Sequence, residues 1–568
     1  MKNIFKFLKK YHAIIIIMAV YVWALISVAL YRYNETPPGT ITLRISHWQL
    51  ETGVRDGINE MAKEYQKTHP NVRILQEAIP EGTYGQWLST QILSGTAPDI
   101  LEMGFIPPQV MLAYYNRYCF VMTPFVNRPN PYNKDNELAK VPLRNTFKDG
   151  MASGYVKELQ EYMAVPLSSF TLRVFYNADL LGKLTGAGNP PKTYRELYDL
   201  CSKVAKMKDE KGRNYVPIVG SKYHFAIWEW ALCEMMTYRV MDKADLNRDG
   251  VVGNDEFYIA IKLGLLDFSC RPLAAKYQMV REIADFCQPG FTGLSRDEGV
   301  FLFAQQRALF MTTGTWDAMS LQEQAKGNFT VGIMDFPMPT KDDPEFGDVV
   351  DGPRYENPGL GFNYAVTRNS RNPEIAFDFL LFMASKENNE KLNKIIGWIP
   401  SVVNTEVVPF LKDFKPCYEG IYGNFTVDLG GETYIRWMQL ASLYQVDPNF
   451  TFKQLVERFE PFYKEKGYDD FMEQKRNNKR TMPVNERFLS GIRSQALLSK
   501  KDSPQANSFW VKYRTQTRER QVFYEIWYST QIHYVNEGSS PFSREYGPYE
   551  YSPEVIAKVK ERVKKGKK

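Results

Sequence analysis

The stretch TYGQWLSTQILSGTAPDILEM, residues 83–103, decides how the chain is read. Tyr84, Trp87, Leu88, Gln91 and Ile92 recur three and four residues apart and mark one face of a helix. Gly95 and the Ala97-Pro98-Asp99 turn stop that helix, and DILEM follows as a short apolar strand. Upstream, ITLRISHW (41–48) alternates like a half-buried strand, ETGVRDGINEMAKEYQKTHP (51–70) has the period of an amphipathic helix, and NVRILQEAIP (71–80) returns to a strand. Strand, helix, strand, helix, strand is the opening of an α/β layer.

The alternation persists downstream. YMAVPLSS (162–169) and RVFYNADL (173–180) read as strand or crossover segments. PPKTYRELYDLCSKVAK (190–206) carries a capping box, Thr193 with Glu196 three residues on, which predicts a helix of about four turns. RALFMTT (307–313) is another strand, and 371–398 supplies two helices, the first with Asn372 as cap and Pro373 in its first turn. Beyond about 410 the pattern turns helical and aromatic, and beyond about 470 polar and loop-rich. No internal repeat is visible.

The 568 residues give room for three to four domain-sized units, and 44% apolar with 14% aromatic residues excludes a disordered chain. The net charge of +6 belongs to the ends. The first eleven residues hold four lysines and no acid, and the last eleven hold seven bases against Glu561, which leaves the body at −4. A slightly acidic body is not a phosphate-tracking surface, so no nucleic-acid partner is expected. Six scattered cysteines and five scattered histidines form no zinc pattern. Cys270 and Cys287 could pair in an exported protein; buried free thiols are the alternative.

Residues 13–30 are free of charge and, with Tyr31, make 19 residues, about 28 Å of helix, enough to cross a bilayer. The lysines before this segment place the amino terminus inside and the body outside the membrane. Its apolar core is longer than that of a cleavable signal peptide, the rival reading, so a retained anchor is expected. Residues 34–40, NETPPGT, read as a linker.

Four segments in order, TYGQWLSTQILSGTAPDILEM, VFYNADLL followed by PPKTYREL, FAQQRALFMTTGTW and EIAFDFLLFMASKENNEKLNKIIGWIPS, resemble the extracellular solute-binding proteins of ABC importers. The resemblance is to the sugar-binding branch, the maltose-binding protein family, and covers residues 40 to about 460. It implies an α/β, two-lobed periplasmic-binding-protein type II fold with a hinge and an interlobe cleft that closes on its ligand. In these terms 1–12 is a cytoplasmic basic end, 13–31 the anchor and 32–39 the linker. Residues 40–162 plus 361–401 form the first lobe, 163–360 plus 402–470 the second, and 471–568 an extension with a basic tail. The implied partners are a carbohydrate, an ABC permease and, through the amino-terminal helix, the membrane, with the body in the periplasm or extracellular space.

The segment DLNRDGVVGNDE, 245–256, satisfies every specified position of an EF-hand loop. Asp245, Asn247 and Asp249 supply side-chain oxygens for Ca2+, Val251 its carbonyl and Glu256 two carboxylate oxygens. Helical sequence flanks the loop, and no second loop accompanies it. A structural clip is therefore expected rather than a paired switch; an acidic surface turn is the alternative.

A sugar pocket needs aromatic platforms with a few hydrogen-bonding groups. Trp316 stands where the resemblance places a stacking tryptophan. Trp48 ends the first strand, and ligands of α/β sheets sit beyond strand carboxyl ends. Tyr84 and Met103 fall near the first lobe's cleft edge, Trp228 in the second lobe's aromatic segment, and Tyr434 on a late helix that carries a platform in the family. For most of these aromatics core packing is the competing role. No catalytic residue is expected, because no G-x-S-x-G, HExxH, P-loop or paired-carboxylate signature stands out. The alternatives to import are a membrane-tethered sugar sensor or scaffold and an anchored carbohydrate-active enzyme.

Overall fold

A computed structural model describes residues 17, 18, 20–27 and 39–520, apart from 51–52, 157–158, 187, 246–251, 351, 357–358, 413, 415, 418, 424–426 and 428. In chain order the strands are β1 (Ile41–His47), β2 (Val72–Ala78), β3 (Ile100–Glu102), β4 (Tyr155–Val156), β5 (Glu161–Tyr162), β6 (Val165–Phe170) and β7 (Leu172–Asn177). They continue with β8 (Val216–Ile218), β9 (Ala308–Gly314), β10 (Val331–Met334), β11 (Gly359–Val366) and β12 (Ile399–Pro400). One sheet has the order β12-β6-β11-β3-β1-β2, the other β10-β7-β9-β8, and β4 pairs with β5 in a small ribbon. Each large sheet mixes a parallel pair, such as β1 with β2 and β8 with β9, with antiparallel neighbours. This is the two-lobed α/β architecture expected.

The stretch 83–103 folds as its sequence demands. The helix Glu81–Ser94 ends at Gly95, whose φ of 73° is readily adopted by glycine and whose N–H donates to the carbonyls of Gln91 and Ile92. The turn after it is pinned by Asp99, which accepts from the Arg44 backbone N–H at 2.8 Å and from Ser370 Oγ at 2.6 Å. Helices cover both faces of the first sheet. Val54, Ile58 and Met61 of the helix Val54–Thr68 belong to the same core as Leu43 and Ile45, while Tyr84, Leu88 and Ile92 share another with Leu101. Likewise β9 is buried along its whole length, as a strand covered on both faces must be.

The chain passes from the first sheet to the second through a single residue, Thr171, between β6 and β7. Because β6 pairs with β11 and β12, the first crossing falls at 171 and not at the expected 162/163 boundary. The second crossing ends at Gly359, where β11 re-enters the first sheet, and the third follows β12. There Asn389 and Asn393 both donate to the Leu167 carbonyl at 2.9 Å, and Asn389 Oδ1 accepts from the Ser401 N–H, a buried network that fixes β6 against β12.

Local signals hold unevenly. Thr193 Oγ1 accepts from the Glu196 N–H, but the helix Tyr194–Val204 runs eleven residues, about three turns. Pro373 begins its helix, yet the Asn372 side chain makes no capping bond. The helix Phe452–Leu498 is continuous, so the expected boundary at 470/471 falls inside it. Leu455, Phe459, Tyr463 and Phe471 bury into the second lobe, and Asp470 accepts from the N–H groups of Glu432 and Thr433, capping the helix Gly431–Val446. All six cysteines are free. Among the described residues no helix is long and apolar enough to cross a membrane. The rest of the 13–31 segment, and everything after residue 520, lies outside the described residues.

Candidate functional site

A cavity of about 470 Å3 opens where the chain crosses between the sheets. Phe170, Thr171 and Leu172 line it from one crossing, Gly359 and Leu360 from another, and Trp230, Trp316, Tyr355 and Tyr422 provide aromatic surface. Arg354 and Glu356 are its charged residues.

Trp316 begins the helix that follows β9. A Cβ at Gly314 would lie 2.3 Å from its ring, so glycine there makes room for the indole. Its Nε1 donates to the Tyr223 hydroxyl at 3.1 Å, its carbonyl accepts from Trp398 Nε1 at 3.4 Å, and Phe170 meets its ring edge-on at 5.8 Å. Burial pushes the Tyr223 hydroxyl up to about 12, so it stays protonated as a partner for the indole. The Arg296 guanidinium sits over the Tyr223 ring and pairs with Asp317, which also accepts from Thr313. The Trp316 ring is thus held in place on several sides.

The other expected residues scatter. Trp228 is fully buried against Phe336 and presents no surface to a solute. Trp230, two residues on, is 52% exposed and lines the cavity instead. Two residues along a helix turn the side chain by about 200°, so one tryptophan faces the core and the other the cleft. The signal was in the sequence: Phe225, Trp228 and Ala231 continue the buried stripe of the helix Lys222–Ala231, and Trp230 is off it.

Tyr84 is likewise fully buried. Its hydroxyl donates to the Glu102 carbonyl at 2.7 Å, and burial holds its pKa well above the ordinary value. Met103 is 5% exposed and shares that apolar cluster, so neither residue forms a cleft surface. Trp48 is half-buried, edge-on to Tyr84 at 5.1 Å and to Phe105 at 4.9 Å. Phe105, which the sequence reading missed, is 52% exposed beyond the end of β3. Tyr434 is exposed on its helix but does not line the cavity.

Of the expected calcium ligands, Asn247, Asp249 and Val251 lie outside the described residues. Glu256 accepts from the Gly253 N–H at 2.9 Å, at the start of the helix Asn254–Lys262. Among the described residues no group of three or more His, Cys, Asp or Glu side chains could hold a metal ion.

Compared with known families, residues 60–415 match the profile described as bacterial extracellular solute-binding protein. A binding protein of Brucella abortus (strain 2308) is 24% identical over 388 residues, covering 66% of this chain and 78% of its own. The sn-glycerol-3-phosphate-binding periplasmic protein UgpB of Pectobacterium atrosepticum is 23% identical over 416 residues, 69% of this chain and 79% of its own. Among solved structures, a chitin oligosaccharide binding protein superposes with a TM-score of 0.51 at 16% identity, covering 75% of this chain and 98% of its own. The apo form of RafE from Streptococcus pneumoniae does so with a TM-score of 0.50 at 16% identity, over 75% and 98%. At these identities the structures establish a common two-lobed fold.

Proposed function

Because the chain belongs to the bacterial extracellular solute-binding protein family, we propose that it holds a carbohydrate between its lobes and delivers it to an ABC-type permease. The observation that carries the proposal is the cavity at the lobe crossings, with the Trp316 platform and Trp230, Tyr355 and Tyr422 around it. Indole and phenol faces match the C–H faces of a sugar, and the polar residues between them match its hydroxyl rim. The names of relatives, a polyol-phosphate binder and a chitin oligosaccharide binder, point the same way. Short crossings such as Thr171 are where closure of the lobes would bend the chain.

The proposal includes an amino-terminal anchor across residues 13–31. In its described part Ile17, Tyr21 and Trp23 are 67%, 62% and 69% exposed, so the body does not cover them. It also includes a structural Ca2+ in the 245–256 loop, on the strength of the motif. The test is a thermal-melting screen of the full chain in detergent against mono- and oligosaccharides. Stabilisation by at least one, lost in Trp316→Ala, is expected; no shift with any carbohydrate contradicts the reading.

A further inference from the structure

Arg354 stands where the cleft cavity meets a second cavity, of about 500 Å3, and lines both. The second cavity lies entirely against the second lobe, with Asp335, Phe336 and Met338 just beyond β10, and with Lys192 and Lys341 on its wall. The Arg354 guanidinium packs over the Phe336 ring, 5.1 Å from its centroid. Its Nη2 donates to Glu356 Oε1 at 2.5 Å. The same oxygen accepts from Nη1 of Arg173 at 2.6 Å, and the fully buried Arg173 also places its Nε 2.8 Å from Asp335 Oδ1.

Glu356 is therefore shared between two guanidinium groups, and Asp335 supplies the second carboxylate of the cluster. Asp335 contacts Arg173 directly and acts on Arg354 only from a distance. An arginine carries five N–H donors in a planar fork. Arg354 commits one of them to a protein acceptor, although its side chain is only 11% exposed. The remaining N–H groups can meet an acceptor in the cavities that Arg354 lines, and one that brings negative charge would be held most strongly. The fork is already held in place by Phe336 and Glu356, so little ordering remains to be done on binding.

From this we infer that Arg354 is the specificity-determining residue of the site, and that the solute carries an anionic oxygen group, carboxylate or phosphate, which Arg354 receives where the two cavities meet. The inference rests on the cleft reading above: Trp316 and its neighbours take the sugar faces, and Arg354 takes the charged substituent. Glu356 and Arg173 act as positioning residues that keep the fork aimed into the cavities.

The test is calorimetric titration of the full chain in detergent with three probes: trigalacturonate, glucose 6-phosphate and the neutral maltotriose. At least one acidic probe is expected to bind more tightly than maltotriose, and to weaken as salt is raised. Arg354→Gln should lower that affinity tenfold or more, and Arg354→Lys, which keeps the charge but loses the fork, should restore part of it. Acidic probes that bind no better than maltotriose, or an affinity unchanged in Arg354→Gln, would overturn the inference. Trp316→Ala separates the two claims. Loss of binding in Trp316→Ala alone keeps the cleft and removes Arg354 from it, whereas loss in Arg354→Gln alone keeps Arg354 and counts against the aromatic cleft.

Discussion

Lys512 Nζ lies 2.5 Å from Glu161 Oε1 and so ties the helix Pro504–Arg520 to the β4–β5 ribbon of the first lobe. The same Glu161 accepts from the Thr123 hydroxyl. The helix that leads to Lys512 starts in the core of the second lobe, so the carboxyl-terminal extension is a fourth link between lobes that the chain already joins three times. The two side chains are 19% and 20% exposed, so the pair is mostly covered and the limit of about 1 kcal/mol for a solvent-exposed bridge is a lower bound. Lys512→Glu, which sets two carboxylates against each other, should lower stability by about 1 kcal/mol or more and widen the range of lobe separations seen by small-angle scattering. The charge swap with Glu161→Lys should bring it back, and unchanged scattering in the single variant would show that the strap does not restrain the lobes.

The two tryptophans of the helix Lys222–Ala231 should separate stability from binding. Trp228→Ala removes a fully buried indole and should cost about 3–5 kcal/mol in chemical denaturation. Trp230→Ala, at a half-exposed position, should leave the unfolding midpoint nearly unchanged and weaken whichever carbohydrate stabilises the wild type.

Gly314 should tolerate no side chain. A Cβ there meets the Trp316 ring at 2.3 Å, so Gly314→Ala displaces the platform. A loss of about 1–3 kcal/mol is expected, as for overpacking elsewhere, together with weaker solute binding. Intact binding in this variant would mean that the ring's position is not what the site requires.

Acid should destabilise the fold through two buried histidines. Burial lowers the pKa of both His47 and His224 from the ordinary value of 6.5. Below about 6.5 the unfolded chain takes up protons that the folded rings still refuse. This contribution is complete above that pH and is lost as pH falls through the lower folded values. Melting temperature should therefore drop on going from pH 7.5 to 5. His224→Gln and His47→Gln together should flatten that limb.

Chelation should lower the melting temperature if the 245–256 loop holds Ca2+ as a clip. A weak site, of about 10⁻⁴ to 10⁻³ M, would still be filled outside the cell. Asp249→Ala should abolish the response to chelator while leaving solute affinity within a few-fold. A melting temperature indifferent to both treatments would reduce the motif to an acidic turn.

Much of this molecule is legible locally. The strand, helix and turn order of 41–103 and the Thr193 cap each depend on neighbours within a few residues. The crossing at Thr171 is different: MAVPLSSFTLRVFY, 163–176, reads as one nearly continuous run, with no glycine to divide it. Only the pairing of β6 with β11 and of β7 with β9 separates its halves into two sheets. Arg354 and Glu356 lie in GPRYENPG, 352–359, where nothing in the sequence marks them.

What the amino-acid sequence determined by itself is what short-range physics controls: the α/β alternation, the order of elements that matches the family, the charge at the two ends and the calcium motif. The tertiary structure decided which aromatics see the cleft, because burial depends on what packs opposite. It put Tyr84 in the core and Phe105 at the surface. It also decided which charges meet: Arg173 and Glu356 are 183 residues apart along the chain and share a hydrogen bond of 2.6 Å in the fold. No local pattern encodes such a contact, because its energy exists only once the chain has folded and water has been excluded from around the two groups.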